Sequence, residues 1–319
     1  MSLDGSRAFP SLPGGSVMGG IDMGTAVILP PGGQVYYVRG NGTTVTEYSF
    51  DPPGLRERLS ASINTALSYC VSGRGDVVAV LPGHTESVSA ADYLSNLVAG
   101  TRIVGIGSGN NRPTLTWTAA ASTILMNVAN ATIENMILLM DPGSGTVNVA
   151  APITFSAAGC KLLNCRIRMG TDSNSKVTTG LTLSSVADLE ISGNHIYGAT
   201  AAEATTLIDI VACDRLRMVG NYIAGATSST TVGVMRFKTT ASLDIYLAFN
   251  TYINRKASSA CAVTGLAAVS GISIEETFHY LDDSSTTMWL TSPGIMAFRN
   301  PRTVNLAGEA GMLSTVVST

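Results

Sequence analysis

Residues 185–198 read SVADLEISGNHIYG, and residues 212–225 read ACDRLRMVGNYIAG, so the chain carries one short pattern twice. Both stretches contain a leucine between charged residues, an apolar position, a Gly-Asn pair, an isoleucine and a closing glycine. A pattern that returns after a fixed interval predicts structural units that stack on one another. The repeat therefore decides the fold class.

Asparagine marks further copies of the pattern on both sides of these stretches. The aligned positions are Asn135, Asn164, Asn194, Asn221 and Asn250, at differences of 29 (164 − 135), 30 (194 − 164), 27 (221 − 194) and 29 (250 − 221). No helical segments of about 10 to 15 residues alternate with the strand-like pieces, which excludes leucine-rich and ankyrin-type repeats. The sequence therefore predicts an all-β fold, a parallel β-helix with three short strands in each of five coils.

The chemistry of asparagine suits a structural role at a corner between two strands. Asparagine tolerates the left-handed backbone conformation better than other non-glycine residues. Equivalent corners lie about 4.8 Å apart in a stack, so the side-chain amides can hydrogen-bond along it as a ladder. We therefore interpret the five asparagines as structural rather than catalytic.

Composition and charge limit the classes of partner. Charged residues make up 13% of the 319 residues, and the formal net charge is −3. No basic field therefore points to nucleic acid or to an anionic membrane. We expect no signal peptide and no membrane span, and the five cysteines, without metal-type spacing, indicate reduced thiols in a protein made in the cytosol.

The chain divides into three segments. Residues 1–50 are rich in glycine and proline and predict an extended N-terminal arm. Residues 51–281 predict a capping helix followed by the β-helix, and residues 282–319 predict a C-terminal arm or strand segment. The helix is indicated by Asp51 as its N-cap, by Gly73 after its end and by one apolar stripe. The stripe consists of Leu55, Leu59, Ile63, Ala66, Leu67 and Cys70.

Charged residues in the repeat alternate in sign from coil to coil. Asp188, Arg215 and Asp244 all lie six residues before an aligned asparagine, and Glu190 and Arg217 lie four residues before one. Acid above base is the pattern of cross-coil ion pairs on an exposed strand face. Glycoside hydrolysis would instead require two carboxylates without a cation between them. We therefore interpret these residues as stacked ion pairs.

The stretch TTLIDIVACD places an acid within an apolar strand. If Ile208 and Ile210 point inward, then Leu207, Asp209 and Val211 point outward, which predicts a subunit interface of a three-fold assembly. A loop that covers the strand is the alternative.

The histidines lack ligand spacing, and the glycines at 105–109 precede no helix, so we expect no metal, no dinucleotide and no other cofactor.

The order of these motifs carries a family resemblance. An alanine-rich helix leads into GDVVAVLPGHT, then RIVGIGSGNNRPTLTW, then the asparagine-centred coils. Over roughly residues 52–280 this layout resembles the right-handed β-helix of phage tailspikes and related virion proteins. In size it is more similar to a tailspike-like capsid decoration (cement) protein, because the chain shows no second large domain.

The resemblance implies a structural role outside the class of enzymes. It implies a homotrimer on the outer capsid surface of a virion, synthesised in the host cytoplasm. Its terminal arms would reach the major capsid protein and neighbouring decoration subunits, and no nucleic acid or membrane is expected as a partner.

Two alternatives remain. One is a small tailspike that depolymerises a host surface polysaccharide, and the other is a carbohydrate-binding spike without activity. Both need aromatic platforms, and aromatic residues make up only 6% of the chain.

Overall fold

The computed structural model describes residues 32–48, 53–140, 147–238, 240–257, 262–265, 268–281, 289–290, 294–304 and 314–315. Within these residues the chain is almost entirely β-structure, with two short helices, α1 (Pro53–Arg56) and α2 (Ile63–Leu67). Three long sheets, built almost wholly from parallel pairs, wind into a right-handed parallel β-helix. The predicted fold class is therefore confirmed.

Within each turn the chain passes through the three long sheets in the order I, II and III. Sheet I consists of β1 (Val35–Val38), β2 (Leu59–Ser60), β3 (Val77–Val80), β5 (Arg102–Gly105), β8 (Thr132–Glu134), β12 (Lys161–Leu163), β18 (Glu190–Ser192), β22 (Arg217–Val219), β25 (Ser242–Ala248), β28 (Val269–Ile274) and β31 (Gly294–Phe298). Sheet II consists of β4 (Thr85–Val88), β6 (Thr114–Trp117), β9 (Ile137–Leu139), β13 (Arg166–Arg168), β19 (His195–Tyr197), β23 (Tyr222–Gly225), β26 (Thr251–Ala257), β29 (Thr277–Leu281), β32 (Pro301–Val304) and the antiparallel β33 (Ser314–Thr315). Sheet III consists of β7 (Ile124–Met126), β11 (Ile153–Phe155), β16 (Thr179–Leu183), β20 (Thr206–Ile210), β24 (Met235–Phe237), β27 (Val263–Gly265) and β30 (Trp289–Leu290).

Two small sheets decorate the corners of this prism. One contains β10 (Val147–Val149), β14 (Gly170–Asp172) and β15 (Ser175–Val177), in which β14 and β15 form an antiparallel hairpin. The other pairs β17 (Val186–Ala187) with β21 (Cys213–Asp214).

Each turn of the prism contributes one strand to each long sheet. Among the described residues, seven turns contain all three strands, from β5–β6–β7 (turn 1) to β28–β29–β30 (turn 7). A partial turn precedes them (β3–β4) and another follows (β31–β32). The prism is therefore longer than the five coils predicted from asparagine alone, because the outer turns carry other residues at the corner.

Side chains of the same kind stack along the axis to form the core. In sheet I the register aligns Leu162, Ile191 and Met218, and all three are buried. In sheet III, Phe155 and Phe237 bracket aliphatic residues on the intervening turns. Each fully buried apolar side chain contributes about 1.5–3 kcal/mol, so the stacked columns hold the turns together.

The N-terminal cap differs from the single predicted helix. The chain breaks that helix at β2, where the carbonyl of Arg58 accepts the N–H of Tyr37 at 2.9 Å. The side chain of Ser62 then caps α2 by accepting the N–H of Thr65 at 3.1 Å. Strand pairing prevails at Leu59 because it satisfies polar groups of β1 that would otherwise form a bare sheet edge.

The apolar stripe therefore serves two surfaces. Ile63 and Leu67 of α2 pack into the end of the prism interior, together with Val78 and Val80. Leu55 of α1 instead belongs to a second cluster on the outer face of sheet I. That cluster contains Val35, Tyr37, Leu55, Val77, Ala79, Leu81, Val104 and Ile106, with Leu59 packed against it.

The segment boundaries also differ from the predicted ones. β1 lies within residues 1–50, yet it pairs with β3 and is part of the prism. Beyond residue 281, the described strands β30, β31 and β32 continue the three sheets. Residues 1–31 lie outside the described residues, so the predicted arm is not described there.

The cysteines behave as small apolar residues. Cys70, Cys160, Cys165 and Cys213 are buried free thiols, and Cys261 lies outside the described residues. Burial raises the pKa of the Cys165 thiol to about 12, which keeps it protonated.

Neither described helix has the length or apolar character to cross a bilayer.

Candidate functional site

Three asparagines form a hydrogen-bonded ladder inside the prism at the corner between sheets I and II. The backbone N–H and the side-chain amide of Asn194 both donate to Oδ1 of Asn221 at 3.0 Å. Asn221 donates in the same way to Asn250 at 2.9 and 2.8 Å, and its amide also reaches the carbonyl of Ile191 at 2.7 Å. All three side chains are buried, so the ladder replaces the hydrogen bonds that water would make.

The ladder continues above the asparagines through an ionisable group. The N–H and side-chain amide of Asn250 donate to Oε1 of Glu276 at 3.1 and 3.0 Å, and the N–H of Glu276 donates to Oδ1 of Asn300 at 2.9 Å. Burial raises the pKa of the Glu276 carboxyl to about 7. Turn 7 therefore holds, inside the prism, a carboxyl that changes charge near neutral pH.

Asn135 and Asn164 do not belong to this ladder. The strand register aligns Arg166 with His195, which places Cys165, not Asn164, opposite Asn194. Asn135 and Asn164 lie one position earlier, with φ of 56° and 53°. The expectation that all five asparagines form one ladder is therefore corrected.

The corner and the ladder are two separate positions. The left-handed position is filled by Asn135, Asn164, Gly193 (φ 67°), Gly220 (φ 63°) and Phe249 (φ 57°) on successive turns. The next residue points inward on each turn, and on turns 4 to 6 it is an asparagine of the ladder. Gly193 and Gly220 take the left-handed position before Asn194 and Asn221, and Phe249 takes it before Asn250.

The structure contains some of the predicted cross-coil ion pairs and lacks others among the described residues. Arg215 contacts Asp188 at 2.6 Å, and Arg217 contacts Glu190 at 2.5 Å. Lys161 also contacts Glu190, at 2.9 Å. The guanidinium of Arg215 lowers the pKa of the Asp188 carboxyl. These contacts join neighbouring turns on an exposed face, where such pairs stabilise a protein only weakly.

Asp244 was also predicted to form a cross-coil ion pair, but it forms none with any described residue. Its backbone N–H instead donates to Oγ of Ser270 at 3.3 Å. Asp188, Arg215 and Asp244 share left-handed backbone conformations, with φ of 57°, 54° and 57°. All three therefore lie at the corner where the chain passes from sheet III to sheet I, and the corner geometry sets their direction.

The three residues of the predicted trimer interface also lie in different environments. Leu207 is 1% exposed and packs in the core of its own subunit beside Gly225, which corrects the expectation that it points outward. Both Leu207 and Ile208 donate their N–H to the carbonyl of Val234, so a local irregularity turns Leu207 inward. Val211 is half-buried at the end of the strand.

Asp209 lies on the outer side of sheet III and is paired within its own subunit. Arg236 contacts Oδ1 of Asp209 at 2.8 Å, and Lys238 lies 3.9 Å from Oδ2. The Asp209 side chain is only 5% exposed. The acid is therefore already neutralised without a second subunit.

A buried His–Glu pair lies under α2. Nε2 of His84 lies 2.8 Å from Oε2 of Glu86, which also accepts the N–H of Ile63 at 3.0 Å. The hydroxyl of Tyr93 donates to Oε1 of Glu86 at 2.9 Å. Since the Glu86 carboxylate receives bonds from Ile63 of α2 and from Tyr93 and contacts His84, we interpret the pair as the anchor of α2. Among the described residues, no three histidine, cysteine or acidic side chains form a metal-ligand group.

The outer face of sheet II carries the clearest candidate for binding. We call this set the basic–aromatic face: Arg112, Arg166, His195, Tyr197, Tyr222 and Arg255. Arg166, His195 and Tyr222 occupy one register position on turns 3, 4 and 5. The His195 ring lies 5.0 Å from the ring of Tyr197 and 4.8 Å from that of Tyr222, measured between centroids. Arg166 lies over the Tyr197 ring at 5.6 Å.

The guanidinium groups of this face are held by neutral acceptors. Arg112 donates to the carbonyls of Gly109 and Asn164 at 3.0 and 2.9 Å, and Arg166 donates to Oδ1 of Asn110 at 3.1 Å. Burial and then the nearby guanidinium groups of Arg166, Arg112 and Arg255 lower the pKa of His195. The face therefore has a positive potential although the whole chain is acidic.

Sequence reasoning did not identify this face. The equivalence of His195 and Tyr222 is visible in the repeat, and it predicts an ordinary position at the edge of a turn. Arg166 joins them only when the register is shifted by one residue at Asn164. An alignment that requires an inward residue after each left-handed corner would have found the column.

A second surface is apolar and lies on the outer face of sheet I at its C-terminal end. We call it the apolar strip: Tyr246, Ile272, Ile274, Met296 and Phe298. The register stacks Tyr246, Ile272 and Met296 in one column and places Ile274 beside Phe298 in the next. Met296 is 59% exposed and Phe298 is 53% exposed. Large exposed apolar side chains that are contiguous mark an interaction surface.

In comparisons with protein-family models, curated proteins and solved structures, no family, protein or structure matched this chain.

Proposed function

We propose that this chain is a structural protein of a bacteriophage virion. In this proposal it is a homotrimeric decoration (cement) protein that binds and stabilises the major capsid shell. The observation that carries the proposal is the apolar strip on a stacked prism. The resemblance of the repeat to tailspike-like virion proteins supplies the setting.

The apolar strip supports association between copies of the chain. Its side chains lie on three consecutive strands, β25, β28 and β31, so the strip extends along the axis. Removing apolar surface from water contributes about 25 cal/mol per Å², and obligate interfaces are the most apolar ones. Three copies around a closed axis would cover the strip without leaving an open end.

The terminal segments have a role in the proposal that is separate from the strip. Residues 1–31 carry apolar residues such as Phe9, Val17 and Ile21 among glycines and prolines. Apolar side chains of this kind favour contact with a partner surface. We propose that it reaches the shell protein or a neighbouring decoration subunit on the outer capsid surface.

Virions of the phage that encodes this chain provide the test. The chain should copurify with heads, and heads that lack it should lose DNA at a lower temperature or under milder osmotic shock. Deletion of residues 1–31 should reduce attachment while the isolated prism stays folded by circular dichroism. Absence of the chain from washed virions, or equal resistance of heads with and without it, would refute the proposal.

The depolymerase alternative predicts a different arrangement of acids. It requires two carboxylates about 5–9.5 Å apart with one in an acid-raising environment. Asp188, Glu190 and Asp209 each contact a cation instead. Release of reducing sugar from host envelope polysaccharide by the purified chain would favour the alternative.

A further inference from the structure

We infer that the basic–aromatic face docks onto an acidic surface of a partner protein. The inference rests on the proposed function, in which that partner is the capsid shell protein. It assigns the attachment to the prism itself, in addition to the terminal segments.

The distribution of charge over the three faces supports this assignment. On sheet I, Arg102 pairs with Glu134, and Glu190 pairs with two cations. On sheet III, Asp209 pairs with Arg236. On sheet II, none of the described outward positions of β4, β6, β9, β13, β19, β23, β26 and β29 holds an aspartate or glutamate. Among these described positions, Arg166 and Arg255 of sheet II therefore have no acid on the same face to compensate them.

The arrangement of the guanidinium groups favours carboxylates as ligands. Arg112, Arg166 and Arg255 form no ion pair with any described residue, and the first two are oriented by neutral oxygens. A guanidinium fixed in this way keeps N–H groups for a bidentate contact with an incoming carboxylate. The groups span turns 1 to 6, a distance that suits a broad acidic surface.

The aromatic residues favour a protein over a glycan. Tyrosine and arginine are the residue types that dominate binding energy at the centres of protein interfaces. The ring of His195 lies against those of Tyr197 and Tyr222, so these rings contact one another and leave less open ring face for a sugar. The face is also the outside of a sheet, whereas small ligands prefer clefts.

The overall charge disfavours nucleic acid as the partner. The net charge of −3 repels a polyanion at long range, although the local face is positive. A protein with an acidic patch is neutral or mixed in charge elsewhere, so this repulsion is weaker. The partner that we infer is therefore a protein.

Charge reversal on the face tests the inference. The double variant R166E/R255E should bind decoration-free heads at least about 30-fold more weakly than the wild type, because two of the three cations become anions. R166Q/R255Q should lose less affinity than R166E/R255E, because it removes the two positive charges without adding negative ones. The affinity of the wild type should fall as the salt concentration rises. The matched control R56E/R58E changes the net charge equally at the N-terminal end and should bind normally. Circular dichroism and thermal unfolding confirm that each variant is folded.

The outcomes separate the inference from the proposed function. If wild-type chain binds the heads and R166E/R255E binds equally well, the inference is overturned while the function stands. If wild-type chain fails to bind any heads, the function and the named partner both fall. If the wild type binds polygalacturonate or a thymidine oligonucleotide and R166E/R255E loses only that binding, the face is a glycan or nucleic-acid site and the inference is overturned.

Discussion

Asn250 and Glu276 join a neutral amide ladder to an ionisable carboxyl inside the prism. The side-chain amide of Asn250 lies 3.0 Å from one carboxylate oxygen of Glu276 and 3.2 Å from the other. The phenol of Tyr252, in the strand that follows Asn250, is fully buried, and burial raises its pKa well above the usual value. Neither neighbour therefore supplies a positive charge to balance an ionised Glu276.

The first prediction concerns pH and Glu276. The pKa of this carboxyl is 4.5 in the unfolded chain and about 7 in the prism, so between these values the folded state holds a proton that the unfolded state has lost. The contribution of Glu276 to the free energy of unfolding is therefore greatest below about pH 4.5 and falls as the pH rises to 7. The loss amounts to about 3 kcal/mol.

Glu276→Gln should remove this dependence, because the amide oxygen still accepts from Asn250 and no charge forms. Urea unfolding at a series of pH values measures this dependence. The free energy of unfolding of the variant should exceed that of the wild type near pH 8, and the difference should disappear at acid pH. The control Glu275→Gln changes an exposed neighbour. Identical pH profiles for wild type and Glu276→Gln would contradict the prediction.

The second prediction separates the ladder from the corner. Asn221→Ala removes the acceptor of two bonds from Asn194 and the donor to Ile191, all of them buried. Unsatisfied buried groups cost about 1–3 kcal/mol each, so the free energy of unfolding should fall by about 3 kcal/mol. Asn164→Gly should change it by less than about 1 kcal/mol, since glycine adopts the left-handed conformation freely. Equal losses in chemical denaturation would mean that both asparagines have the same role.

The third prediction concerns the pair on sheet III. Asp209→Thr leaves the guanidinium of Arg236, which is only 13% exposed, without its carboxylate. We expect the free energy of unfolding to fall by about 2–3 kcal/mol, because the variant leaves a buried charge without its partner. The double variant D209T/R236T extends the threonine column of Thr154 and Thr182 and should recover most of the loss. A double variant less stable than Asp209→Thr would show that Arg236 stabilises the sheet by itself.

The fourth prediction tests the apolar strip as an interface. M296E/F298E places two charges on the strip and should convert the proposed trimer into monomers, as measured by sedimentation velocity. Val71→Glu is the control, because Val71 is 50% exposed at the other end of the prism. That variant should remain trimeric. If M296E/F298E sediments as the wild type does, the strip is not the contact between subunits.

The fold could be predicted from the sequence because its repeat is carried by local chemistry. A left-handed corner admits few residue types, so asparagine and glycine recur at a regular spacing and reveal the turns. The same tolerance made the register ambiguous. Asparagine suits both the left-handed corner (Asn164) and the inward position after it (Asn194), and only the preceding Gly193 distinguishes them. At Asn250 that preceding residue is Phe249, so the distinction is not regular.

This ambiguity explains why the basic–aromatic face was missed. A one-residue displacement at Asn164 aligns Cys165 with His195 and moves Arg166 to the wrong side of the strand. The cap was missed for another reason. Residues 55–70 have helical periodicity, but pairing of Leu59 and Ser60 with β1 depends on a partner remote in sequence. Tertiary pairing of this kind prevails over local propensity.

The spacing between Asn194 and Asn221 has a consequence for how such a chain can change length. The 27 residues 194–220 (221 − 194 = 27) form one complete circuit, and each amide of the ladder binds the turns below and above it. A tandem duplication of these 27 residues would offer the same donors and acceptors to both neighbours and would lengthen the prism by about 4.8 Å. A duplication of about half that length would put the ladder asparagines out of line with one another. Each added circuit would therefore raise the height of the molecule by one strand spacing, which the hydrogen bonds of the ladder fix.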